Sequence, residues 1–109
     1  MSGGTSRWHA GPGQRRRTFD AEVFSWDGDQ PGSWRFARLP LDIADDLRMG
    51  PLGGWGSVRV NVTIGSSTWA TSVFAEKKTD TFLLPLKKAV RQAEGIHDGD
   101  VVAISLERA

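Results

Sequence analysis

LPLKKAVRQAEGIHDGD, Leu84 to Asp100, is the stretch that decides the fold. It reads as a strand end, a proline-started helix over Leu86, Ala89, Val90 and Ala93, a glycine stop at Gly95, and an Asp98-Gly99 turn into a last strand. Proline suits the first helical position because its missing N–H needs no partner there, and glycine enters the left-handed conformation that ends helices. A second copy of this punctuation lies upstream in LPLDIADDLRMGPLGG, Leu39 to Gly54. Moved back by 45 residues, Leu84, Pro85, Leu86, Ala89, Gly95 and Gly99 fall on Leu39, Pro40, Leu41, Ala44, Gly50 and Gly54.

The flanking segments alternate with the period of strands. Val58, Val60, Val62 and Ile64 share one face, with Arg59, Asn61 and Thr63 on the other. Phe19, Ala21, Val23 and Ser25 alternate likewise in Thr18–Trp26, and Trp34, Phe36 and Arg38 in Ser33–Leu39. Further strands are expected over Thr68–Ala75, Thr81–Leu84 and Asp100–Glu107, and Leu41, Ala44 and Leu47 mark the first helix. The order is strand, strand, helix, strand, twice over. One such unit cannot close a core, whereas two can by pairing edges into a barrel with the helices at its ends. The expectation is a mainly β domain with two short helices, built as a tandem β-β-α-β pseudo-dimer with repeats of about residues 18–63 and 64–108.

Composition narrows the class. The 109 residues suit one domain, 18–109, preceded by a basic leader, 1–17, that lacks apolar periodicity and is expected to be disordered. There is no cysteine, which removes disulfides and thiolate metal sites and makes a cytoplasmic home the default. No segment approaches the ~20 apolar residues that span a bilayer. Arg7, Arg15, Arg16 and Arg17 put +4 on the leader; the other 10 basic residues face all 13 acids, leaving about −3 on the domain. A mildly acidic domain is a poor generic partner for DNA, though the Arg15–Arg17 tail could touch its backbone.

Residues Gly56 to Glu107 resemble the bacterial domain of unknown function 1905 family. The resemblance is carried by VTIG followed by TWATS, by LPLKKAVR and by the GI–GD turn, and WRFARLP is similar to that family's first half. It implies a double-split β-barrel similar to AbrB-like DNA-binding proteins, in which two chains each give half of the barrel. It implies no activity, because a fold does not fix a function. The hairpin loop AEKKTD, Ala75 to Asp80, departs from the pattern by lacking a glycine or proline.

No cluster specifies a reaction. His97 with Ser66, Ser67 or Ser72 could be drawn as a triad, but a histidine beside Asp98-Gly99 is better read as a solvated turn. Asp98 with Asp100, and Asp27 with Asp29, have too few oxygens for a calcium loop. Gly50 to Gly56 lacks the Lys-Ser/Thr of a phosphate loop. Two candidate patches remain. Lys87, Lys88 and Arg91, with Arg59, could hold a phosphate or carboxylate, against the simpler reading of a solvated helix face. Trp69, Thr71 and Ser72 could line a pocket; Trp69, like Trp34 and Trp55, is more simply a core residue. The expected function is a non-enzymatic binding or interaction module without a cofactor. It would be a monomer or weak dimer, with a protein or small anionic ligand as partner. An AbrB-like DNA-binding regulator is the alternative.

Overall fold

The computed structural model describes residues 16–25, 34–50 and 56–109. Residues 1–15, and with them Arg7 and Arg15, lie outside the described residues, as do Asp27, Asp29 and Trp55. The elements are β1 (Arg17–Ser25), β2 (Arg35–Arg38), α1 (Leu41–Arg48), β3 (Val58–Ile64), β4 (Ser67–Glu76), β5 (Thr81–Leu86), α2 (Lys88–Glu94) and β6 (Val101–Arg108). The strands close into a barrel in the order β1-β2-β5-β4-β3-β6, every pair antiparallel. Arg17, the last residue of the basic stretch, is already in the sheet.

Two strands make the closure. β1 pairs with β6 through residues 17–22 and with β2 through 23–25. β4 pairs with β3 through 67–73 and with β5 through 74–76. Each therefore passes from one half of the wall to the other.

The interior follows the alternation read from the sequence. Val58, Val60, Val62 and Ile64 are buried, and Phe19, Ala21 and Val23 join them from β1. Ile104 and Leu106 from β6, and Phe82, Leu84 and Leu86 from β5, complete the strand contribution. The helices add Ile43, Ala44 and Leu47 from α1 and Val90 from α2, with Ile96 just beyond. Gly95 ends α2 in the left-handed conformation (φ 64°), as its position predicts.

Several local expectations change. Of the face expected for α2, Val90 is buried while Ala89 and Ala93 are exposed. Leu41 is exposed, and Ile43 takes its place on the buried face of α1. Pro85 and Leu86 do not start the second helix: they extend β5, and α2 begins at Lys88. The proline φ fits a strand as well as a helix, and Leu86 gains full burial inside the barrel. The glycine-free hairpin loop closes with Asp80 at φ 59°, a conformation that aspartate tolerates better than most residues. Its backbone and carboxylate oxygens both accept from Arg48 Nη2.

Thr81 is a buried polar side chain whose Oγ1 donates to the Leu39 carbonyl at 2.7 Å. It ties the start of β5 to the residue that leads into α1. Thr81→Val keeps the shape and orphans that carbonyl, so urea denaturation should show a loss of about 1–2 kcal/mol. An unchanged midpoint would mean that the bond contributes nothing.

Candidate functional site

β5 is buried along its whole length, TFLLPL. Its inner face is core; its outer face carries Leu83 and Pro85. Cross-strand pairing sets what lies beside them. Phe36 stands opposite Pro85, Arg38 opposite Leu83, and Phe74 opposite Leu83 on the other side. Large aromatic residues on β2 and β4 thus flank smaller ones on β5. A groove of about 380 Å³ results, lined by Trp34, Phe36, Phe74, Leu83 and Pro85, with Glu76 among its walls.

The backbone explains why proline is accepted there. The Leu39 amide donates to the Phe82 carbonyl at 3.0 Å, which makes these two a hydrogen-bonded pair. By alternation Phe36 and Pro85 form a non-hydrogen-bonded pair, so the nitrogen of Pro85 faces β4. The β4–β5 pairing ends at Phe74 and Leu83. The missing N–H falls where that ladder has stopped, a place where a strand accepts proline.

The aromatic wall is layered. The ring of Trp34 lies nearly parallel to Phe36 with centroids 6.4 Å apart, and Phe36 meets Phe24 at 6.0 Å. Trp34 is 63% exposed and Phe74 44% exposed, which corrects the expectation that Trp34 fills the core. Arg38 lies over Phe24 at 4.2 Å and donates through Nε to Glu76 at 2.8 Å and through Nη2 at 3.3 Å. Glu76 also accepts from Thr79. One end of the groove is thereby fixed by a neutralised ion pair.

The residues singled out from the sequence do not form one site. Trp69 and Thr71 stand opposite Val62 and Val60, on the inner side of the wall, and Trp69 packs against the core. Ser72 stands opposite Arg59, whose neighbours Val58 and Val60 point inward, so this pair lies on the outer face. Arg59 is near the start of β3. Glu94 of α2 accepts from Ser67 at 2.6 Å, beside the turn at the far end of β3. Arg59 is therefore separated from that turn by roughly 17 Å of strand. Arg91 turns its Nε back to the Leu86 carbonyl at 3.0 Å. Lys87 and Lys88 are exposed.

The acids of α1 are engaged within the chain: Asp42 and Asp46 with Arg17, Asp45 with Arg48. Asp98 pairs with Arg35, and Asp100 accepts from the His97 amide at 2.8 Å, which makes the turn self-capped. Among the described residues no group of three or more His, Cys, Asp or Glu could hold a metal ion. No helix among them is long and apolar enough to cross a membrane.

The family model for the domain of unknown function DUF1905 matches residues 19–106, nearly all of the barrel. The chain belongs to the DUF1905 family. Comparison with curated proteins gives no match. For this DUF1905 chain, the groove residues Phe74, Leu83, Pro85 and Glu76 were not singled out by sequence reasoning. The signal was present: TFLLPL is apolar on both faces, and a barrel strand of that kind needs cover outside as well as inside.

Glu76 gives the site a pH signature. The hydrogen bonds from Arg38 hold its carboxyl below the ordinary 4.5, with help from Thr79 and against the opposing effect of burial. Because the folded form holds the proton more weakly, the pair's stabilisation is complete above the unfolded value. It is lost as pH falls through the folded one. Glu76→Gln should cost about 1 kcal/mol at pH 7, since Arg38 is partly exposed. The difference between wild type and variant should shrink as pH falls below about 4.5. A gap that stays constant down to pH 3 would contradict the ionic account.

Proposed function

We propose that the domain is a non-enzymatic binding module whose site is the apolar groove over β5. The observation that carries this is the pair of exposed aromatic rings, Trp34 and Phe74, on either side of a floor made by Leu83 and Pro85. An exposed tryptophan beside a formed apolar groove is the usual anchor of a binding surface. The groove is lined mainly by apolar side chains, so the ligand is held by its apolar body.

The scaffold is, on our reading, a double-split barrel fused from two β-β-α-β halves. Exchanging β1 with β4, β2 with β5 and β3 with β6 leaves the neighbour order of the barrel unchanged. The registers support it: Arg38 stands opposite Leu83, 45 residues on, and Val62 opposite Leu106, 44 residues on. These offsets agree with the repeated helix punctuation. In such a barrel the two halves have diverged outside, and the groove belongs to one of two formerly equivalent walls.

The AbrB-like DNA-binding alternative has less support. Arg16, Arg17, Arg35, Arg38 and Arg48 are each committed to a carboxylate, which removes them from a phosphate-binding face. A DNA-binding face needs clustered free cations.

Calorimetric titration with 1-octanol, an uncharged apolar probe, tests the binding site. The wild type should bind it saturably. Trp34→Ala and Phe74→Ala should each weaken binding about tenfold or beyond detection, with each variant still melting cooperatively. Binding that survives both substitutions would place the site elsewhere. Retention of duplex DNA at ~200 mM salt would favour the regulator reading instead.

A further inference from the structure

The groove is charged differently at its two ends. At the Arg38 end the Arg38–Glu76 pair is closed on itself. At the other end the extended backbone continues through Lys87, at φ −70° and ψ 156°, before α2 begins. Alternation along an extended chain puts Leu83, Pro85 and Lys87 on one face. The last recorded β2–β5 pair is Arg35 with Leu86, and one step further the register brings Trp34 opposite Lys87. Lys87 is exposed and forms no ion pair among the described residues, whereas Arg35 and Arg38 on the neighbouring strand are engaged. Trp34 lines this open end of the groove, and the exposed Lys87 follows the groove residue Pro85 by two positions in the chain.

We propose that the groove takes an amphipathic monoanion, with a carboxylate on Lys87 and an apolar body lying over Pro85 and Leu83 towards the Arg38–Glu76 pair. This rests on the groove being the binding site. The span from the Trp34–Lys87 level to the Arg38–Leu83 level is four residues, about 13 Å of strand, which sets the length of the body. Charge selects the class. An organic cation would be repelled by Lys87 and would find Glu76 already neutralised. A dianion would find a single ammonium. A neutral apolar molecule fits but leaves Lys87 unused.

The test is calorimetric titration of the full chain with octanoate and 1-octanol at ~50 mM salt, using wild type, Lys87→Gln and Lys87→Glu. The wild type should hold octanoate about two- to fivefold more tightly than octanol, the range of an exposed ion pair. The preference should narrow at higher salt. It should vanish in Lys87→Gln and reverse in Lys87→Glu, with octanol affinity unchanged throughout. Equal affinity of the wild type for the two probes overturns the head-group assignment while leaving the groove reading intact. A preference that persists in Lys87→Gln also overturns it. Binding of neither probe overturns both. A parallel titration with 2-naphthoate and 2-naphthol separates the two sources of such a ligand. The tighter acid identifies an acyl or an aromatic carboxylate, and either supports the proposal only if Lys87→Gln removes its advantage over the alcohol. Loss of octanoate binding on raising protein concentration, with the chain sedimenting as a dimer, would assign the groove to a second copy and overturn the proposal.

Discussion

β5 is apolar on both faces, and a strand of that kind needs cover on both. Inside, Phe82, Leu84 and Leu86 are held by the barrel core. Outside, Leu83 and Pro85 are sheltered by the aromatic residues of β2 and β4. β5 also joins segments far apart in the chain, because it pairs with β2. A substitution that loosened β5 would disturb the closure and the groove together. Burial of each large apolar side chain is worth roughly 1.5–3 kcal/mol, so Phe82, Leu83, Leu84 and Leu86 of β5 are a substantial share of a small domain's stability.

The groove is a consequence of side-chain size rather than of a loop or cleft. Trp34 and Phe36 stand high on one side, Phe74 on the other, and leucine and proline stay low between them. Proline is tolerated at that low point because the β4–β5 ladder has already ended. Ion pairs engage the arginines on both faces of β5. Arg38 is held by Glu76 while covering Phe24, and Arg48 is held by Asp45 and Asp80 while lying 5.5 Å from the centre of the Phe82 ring. Arg38 is thus committed within the chain, whereas Lys87 forms no ion pair among the described residues.

Much of the fold is legible in the sequence because period-two alternation and helix punctuation are local. Val58 to Ile64 reads as a half-buried strand without reference to anything distant. The helix start at Pro85 misreads for a physical reason: proline φ serves strand and helix alike, and only the pairing with Phe36 decides. The site was less legible. Trp34 looks like a core residue by type, and its exposure depends on which strand faces it. Lys87 could be picked out as a charge beside a helix, but its position at the end of an apolar groove depends on the β2–β5 register. Arg59 and Arg91 share its charge and not its place.

The most direct measurement is to map 1-octanol onto the isotope-labelled full chain by NMR. The account predicts saturable shifts centred on the Trp34 indole and on the amides of Phe36, Phe74 and Leu83, with Trp69 and its strand neighbours unmoved. Shifts gathered around Trp69, or spread over the surface without saturation, would contradict it.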